Sequence, residues 1–540
     1  MDDSNARRLA LPACLFWFFA GLYVMLSGAH VYSPDGVVMV RLTEALVDDR
    51  SLSFRALAGW PEHGGPRAPV GRDGETRRFS KYGLLPSLAG VPAYLVSGVL
   101  ADVAPASERT LFTTPATREG RENARDPSPT FDGDRRAFRT LLYSTSESGF
   151  REALGMWCVQ LTSAGVTAGL AVLAYLLGLE LGFRRRAALA VAATLGLATP
   201  FFCYAREFWS EPFAAMALLG ALLLLVRAQA GKGPGTGLVG AGALLGSIIL
   251  IKPALFVLAA PVAVLHLASR GAVGRRFVQT GLAAAGATGP ILLALAYNYL
   301  RFGSVFETGY GAEAAEWTTP ALTGAIGLLV SPGRGVLVYA PIVLLGYSTL
   351  PALWRRSRLV AGVAASSLPL LIGLYCRWWM WEGGWCWGPR FLLPAIPCLL
   401  YGVGELAEGR LSRVHRAFGA MTLGFSALAA WSTLLVHDFD FHTWIWRFWR
   451  DHEAALQAQG LVEAYDLVRW DWHYAPIVRY WSFPIRETLI WPLALRQPGV
   501  VLAVHGAALL AMLGGALGLR RALGADRATP ASPTSVPPGR

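Results

Sequence analysis

The chain has 540 residues, 54% of them hydrophobic and 16% charged, with a formal net charge of +12. That balance excludes a soluble globular protein. The cations fall in clusters between apolar blocks, so membrane orientation explains them better than nucleic acid does.

The first apolar block, residues 9 to 28, follows Arg7-Arg8 and is read as an uncleaved membrane helix rather than a signal peptide. Directly after it comes His30-Val31-Tyr32-Ser33-Pro34-Asp35-Gly36, where Pro34 and Gly36 are expected to stop the helix. Asp35 is then either a loop acid at a helix stop or a functional carboxylate where water meets hydrocarbon; the functional reading is favoured. Further spans are expected at 153–180, 187–204, 211–228, 236–251, 253–269, 277–299, 335–354, 359–376, 390–407, 417–436 and 499–519. Together these make an all-α integral membrane protein with about twelve transmembrane helices. The stretch from Leu84 to Val103 is long enough to span, but counting it would invert every later loop. With Pro86 and Pro92 inside, it reads as interfacial helices in a large first outside loop, about 30–152. The apolar run before Ser331 is too short to span and reads as re-entrant or interfacial.

Charge tests this topology. With the N-terminus inside, Arg184-Arg185-Arg186, Arg227/Lys232, Arg270/Arg275/Arg276, Arg355/Arg356/Arg358 and Arg410/Arg413/Arg416 all become cytoplasmic, as does the tail with Arg520, Arg521 and Arg527. The chain divides into a catalytic membrane module, 1–436; a Trp-rich extracytoplasmic interfacial segment, 437–498; a last span, 499–519; and a disordered cytoplasmic tail, 520–540. The six cysteines show no metal-ligand spacing and read as free thiols, with a Cys376–Cys386 pair as the alternative.

Along the outside face, the polar stretch 104–140 is expected to be a mobile insertion, with Arg135, Arg136 and Arg139 a solvated basic face. Tyr204 to Pro212 sets Arg206, Glu207 and Glu211 in one short connection; the two carboxylates would share a helix face if the helix continues. They serve either a site or only a local pair with Arg206. Lys252 stands alone in a tight turn, where snorkelling is slightly favoured over function. Arg301 and Tyr310 lie in the segment running from Tyr297 to Gly311. In Ser331-Pro332-Gly333-Arg334-Gly335, glycines flank an arginine, which lets backbone N–H groups and a guanidinium converge on an anion. Between Arg377 and Arg390, tryptophans including Trp381, Trp385 and Trp387 surround Glu382, Gly383-Gly384 and Gly388-Pro389-Arg390. An aromatic belt explains the rings but not the acid and the guanidinium, which suit a sugar and its phosphate. His437-Asp438-Phe439-Asp440-Phe441-His442 could present ligands for a divalent cation along an extended strand, although a polar interfacial loop gives the same letters. No cofactor is otherwise assigned. The remaining tryptophans, from Trp444 to Trp491, read as anchors of amphipathic helices.

These motifs together resemble the GT-C superfamily, in particular protein-mannosyltransferase-like bacterial membrane enzymes that take sugar from a polyprenyl-phosphate carrier. The resemblance rests on Ser33–Gly36, Gly71 to Tyr82 with its Ser-Lys-Tyr-Gly, Trp209–Pro212, Asn298 to Gly311, Ser331–Gly335 and Trp381 to Arg390, and spans roughly 9 to 410. It implies a GT-C-like fold and an acidic catalytic base in the first outside loop, the place Asp35 holds. The chain departs from the family pattern in its 104–140 insertion and in lacking a clear soluble C-terminal domain.

The expected activity is inverting transfer of a sugar to an acceptor hydroxyl on the extracytoplasmic side of the inner membrane, with a lipid, glycan or protein as acceptor and no nucleic acid. Asp35 would be the base. Arg334 and Arg390 lead the candidates for the donor phosphate, with Lys81, Arg206, Lys252 and Arg301 behind them. Glu207, Glu211, Glu382, Tyr82, Tyr310 and Trp387 are candidates for sugar or acceptor contacts. The rivals are a lipid-linked sugar flippase or transporter, disfavoured because few charges lie deep in the spans, and a glycan polymerase or ligase on the same carriers.

Overall fold

The computed structural model describes residues 3–27, 33–56, 64–71, 74–105, 147–232, 235–268, 273–384, 386–436, 438–461, 464–482 and 499–528. Most of the 104–140 insertion, with Arg135, Arg136 and Arg139, lies outside the described residues, as do Trp385, His437 and Trp491.

The described chain is overwhelmingly α-helical. Seven helices are long and apolar enough to cross a membrane: Leu84–Val103, Phe150–Glu180, Glu211–Gln229, Val273–Phe302, Arg358–Tyr375, Arg390–Ala407 and Gly499–Gly524. Four shorter apolar helices accompany them: Ala10–Met25, Thr236–Ile251, Pro253–Leu267 and Ala321–Val330. Length and hydropathy therefore do not reach the expected twelve spans among the described residues.

Three departures have plain physical causes. Leu84–Val103 is one unbroken helix rather than several. Pro86 falls in its first turn, where no intrahelical N–H bond is lost, and Pro92 is absorbed in the interior. The expected span 335–354 is instead three short helices, Val336–Tyr339, Ile342–Ser348 and Leu350–Arg356, broken at Pro341 and restarted around Pro351. The final helix Gly499–Ala528 carries on past 519, so the start of the expected disordered tail is helical.

Helices cross closely where side chains are smallest. A Cβ on Gly242 would lie 1.6 Å from the Ala283 carbonyl oxygen, and one on Gly286 would lie 1.9 Å from that of Val239. Thr236–Ile251 and Val273–Phe302 thus pack backbone to backbone, as small-residue stripes permit between apolar helices.

Charges collect at helix ends. In Glu211–Gln229 the carboxylate of Glu211 stands at one end, while at the other Arg227 pairs with Glu180 at 2.9 Å. Lys232 joins Glu180 at 3.1 Å, and Arg356 meets Glu405 at 2.5 Å and Glu408 at 2.9 Å.

A small antiparallel sheet, not foreseen from the sequence, lies in the first loop. Its order is Ser53–Arg55, Arg77–Phe79, Arg67–Ala68. It delivers Ser80-Lys81-Tyr82 to the end of Thr236–Ile251. Gly83 makes that approach possible, since a Cβ there would sit 2.1 Å from the Leu250 carbonyl oxygen.

Candidate active site

Ser33-Pro34-Asp35-Gly36 starts a helix rather than stopping one. The first helix ends at Met25, and Pro34–Glu44 begins with Ser33 as N-cap, its hydroxyl accepting from the Gly36 N–H at 3.1 Å. Proline at the first helical position has a fixed φ suited to the helix and no N–H to waste. Asp35 occupies the first turn, where the helix dipole favours a carboxylate.

Asp35 is held from two sides. Tyr82 Oη donates to Oδ1 at 2.7 Å, and Arg390 Nη2 donates to Oδ2 at 2.5 Å. Burial would raise this carboxyl, but the Arg390 guanidinium, the Tyr82 hydroxyl and the Lys81 charge together hold it well below the usual carboxylate range. The Tyr82 hydroxyl is pushed well above its ordinary value by burial and by Asp35.

Arg390 is the hub. Its Nε donates to Glu211 Oε1 at 2.9 Å, its Nη1 to the Gly383 carbonyl at 3.3 Å, and its guanidinium lies 3.8 Å from the centre of the Trp209 ring. Glu211 is fully buried and also takes the Lys252 ammonium at 2.8 Å on Oε1 and the Ser210 hydroxyl at 3.1 Å on Oε2. Lys252 sits 4.4 Å from the centre of the Phe391 ring. On the far side of Tyr82, Lys81 pairs with Glu313 at 2.8 Å and lies 5.4 Å from the Tyr310 ring centre. Three cations (Lys81, Lys252, Arg390) thus face three carboxylates (Asp35, Glu211, Glu313) in one cluster at the helix ends.

Other candidates make their contacts outside these ion pairs. Arg206 donates to the Phe202 carbonyl at 3.2 Å and to Thr433 Oγ1 at 2.6 Å, which ties helix ends together. Arg301 holds the Ser80 carbonyl and, at 2.7 Å, Asn298 Oδ1, so it props up the Lys81 turn from behind. Arg334 is buried and donates to the Gly333 and Gly384 carbonyls, each at 3.0 Å. Adjacent carbonyls of the Gly383-Gly384 turn therefore hold Arg390 and Arg334. Glu207 and Glu211 do not share a helix face, because the helix ends after Phe201–Tyr204 and restarts at Glu211. Glu207 accepts instead from Trp209 Nε1 at 2.8 Å. The Trp387 ring meets Tyr339 edge-on at 4.8 Å, and its carbonyl accepts from Tyr204 Oη at 2.9 Å.

Glu382 pairs with Arg469 at 2.6 Å. Burial nevertheless raises its carboxyl above the ordinary value, against the pull of Arg469. None of the six cysteines is in a disulfide. The sequence from Asp438 onward forms the helix Asp438–Gln457 and not the expected extended strand. Sequence reasoning named Trp209 only within the Trp209–Pro212 motif and did not single out Glu313, Tyr375 or Arg469. Tyr375 lies beside residues that were considered; Glu313 and Arg469 carried no local signal.

No family profile and no curated protein matches the chain. Among solved structures, it is similar to ArnT from Cupriavidus metallidurans in the apo state, with TM-score 0.47, 15% identity, and coverage of 93% of this chain and 74% of that one. It is also similar to ArnT from the same organism bound to undecaprenyl phosphate, with TM-score 0.45, 14% identity, and coverage of 95% and 77%.

Proposed function

We propose that this membrane protein is an inverting glycosyltransferase that moves a sugar from a polyprenyl-phosphate carrier to an acceptor hydroxyl on the extracytoplasmic face of the inner membrane. One observation carries the reading: a single guanidinium, Arg390, bridges the candidate base Asp35 and the buried Glu211 beside a second buried cation, Lys252. The motifs shared with GT-C enzymes support the choice of carrier. The cationic clusters at the opposite helix ends support the extracytoplasmic side, since such clusters stay in the cytoplasm.

The chemistry follows from the charges. A donor phosphate entering the cluster competes with Asp35 for Arg390, and Lys252 and Lys81 add to its attraction. Freed from the guanidinium, Asp35 regains basicity while Tyr82 keeps its other oxygen in place. Asp35 then takes the proton from the acceptor hydroxyl as that oxygen attacks the anomeric carbon. The bond from carbon to phosphate oxygen breaks, and the polyprenyl phosphate departs with the electron pair onto waiting cations. Glu211 keeps Arg390 and Lys252 aimed, and Arg334 orders the Gly383-Gly384 turn. Glu382, Tyr310 and the neighbouring rings suit the sugar or the acceptor.

The full chain in proteoliposomes with radiolabelled polyprenyl-phosphate sugars tests the proposal. Label transferred to an acceptor is the expected result. Translocation of intact donor with no transfer would replace the enzyme by a flippase.

A further inference from the structure

Tyr375 closes the helix Arg358–Tyr375 at the cluster. Its ring stacks on Phe391, the neighbour of Arg390, with centroids 4.2 Å apart and planes at 12°, and the Lys252 ammonium lies 5.9 Å from its centre. Glu211, Tyr310 and Arg390 are within electrostatic reach. The Tyr375 hydroxyl is buried and has no hydrogen-bond partner among the described residues.

A buried hydroxyl left without an acceptor costs stability, and phenylalanine would make the same stack on Phe391 without that cost. The nearby carboxylate offers it nothing: Glu211 Oε1 is already shared by Lys252 and Arg390, and Oε2 takes Ser210. What the hydroxyl lacks is an oxygen acceptor brought in from outside. The cluster's own groups are already engaged: its cations are matched one for one by carboxylates, and the Tyr82 and Ser210 hydroxyls donate to Asp35 and Glu211. An O–H can grip an arriving anion without first being released from an ion pair.

We propose that Tyr375 is a carrier-binding residue whose hydroxyl donates to a phosphate oxygen of the polyprenyl-phosphate carrier, alongside Arg390 and Lys252. This rests on the glycosyltransferase reading above and adds a donor to it. The bond persists after sugar transfer, so the sugar-free carrier phosphate is a sufficient probe.

Tyr375→Phe in the full-length detergent-purified chain tests the assignment through two readouts, affinity for polyprenyl phosphate and melting temperature without ligand. Loss of one hydrogen bond to a charged acceptor weakens binding about ten- to a hundredfold. The ligand-free melting temperature holds or rises, because an unpaired hydroxyl is removed; a purely structural hydroxyl would lower it. Unchanged affinity overturns the proposal, whether or not the melting temperature falls. Weakened affinity for the sugar-bearing donor alone also overturns it, by moving the contact to the sugar. Unphosphorylated polyprenol separates the two claims: wild type binding polyprenol as tightly as polyprenyl phosphate overturns the phosphate site itself and this contact with it.

Discussion

Asp35 and Arg390 lie 355 positions apart in sequence, yet Arg390 Nη2 donates to Asp35 Oδ2 at 2.5 Å. The same planar fork reaches Glu211 through Nε at 2.9 Å. A carboxylate held so far below its ordinary range by a guanidinium is a poor base. In the proposed reaction its basicity is therefore conditional: it appears when an anion draws Arg390 away. An enzyme arranged in this way withholds its base until the donor is bound.

Asp35→Asn should separate binding from chemistry. Removing the charge abolishes proton abstraction, a loss of about 10²–10⁴-fold in transfer. It also frees Arg390 from a competing anion, so polyprenyl phosphate should bind more tightly than to wild type. Transfer assays and equilibrium binding on the same preparation check both halves. An active Asp35→Asn enzyme would remove Asp35 as base.

Arg390→Lys keeps the charge and loses the fork. An ammonium cannot serve Asp35, Glu211 and the Gly383 carbonyl in one plane. Transfer should fall at least about 10²-fold, in line with the loss of a preorganised donor to developing charge. Arg390→Ala should add a stability loss of about 3–5 kcal/mol, because the buried Glu211 loses a partner. Thermal unfolding in detergent distinguishes the two variants.

Glu313→Gln addresses a cation that is already occupied. Lys81 is paired with Glu313, whose side chain is 38% exposed, so the pair contributes no more than about 1 kcal/mol to stability. Neutralising Glu313 leaves the fold in place and makes Lys81 available to the donor. A several-fold lower KM for donor with unchanged melting temperature is expected. A raised KM would place Glu313 on the substrate instead.

Arg206→Met provides the contrast. Arg206 ties Phe202 to Thr433 within the helix framework, away from the Arg390 cluster. Its replacement should cost about 2 kcal/mol of stability through orphaned buried acceptors. Activity per folded molecule should stay unchanged, as measured by transfer rates normalised to monodisperse protein.

Helix positions and the acid-and-cation inventory were legible in the sequence because apolar length and loop charge are local signals. The ends of 211–228 and 359–376, for example, fall within a residue or two of Glu211–Gln229 and Arg358–Tyr375. Which cations face the site was not legible. Lys252 alone in its turn and Arg206 beside two carboxylates both read as cations at helix ends, and only the fold turns the lone one toward Glu211 and the other toward Thr433. Pro34 misled because proline ends a helix it follows and begins a helix it enters, and the sequence around it fits both. The three-stranded sheet was hidden by the brevity of its strands, two or three residues each, below the length at which alternation can be read.

Two carboxylates should leave opposite marks on stability against pH. Asp35 has a depressed carboxyl, so its contribution is complete above the ordinary carboxylate range of about 4 and is lost as pH falls from there toward its folded value. Glu382 has a raised carboxyl, so the folded chain binds more protons than the unfolded one between about 4 and its folded value, and stability declines as pH rises through that interval. Glu382→Gln keeps the side-chain shape, leaves Arg469 its bond to Asp466 at 3.1 Å, and should flatten the decline on the rising side. Asp35→Asn should leave that side unchanged and flatten only the fall below about pH 4. Melting temperatures of the two variants and wild type across a pH series resolve the windows. The same dependence in Glu382→Gln as in wild type would show that Arg469 keeps Glu382 ionised, and that burial does not govern it.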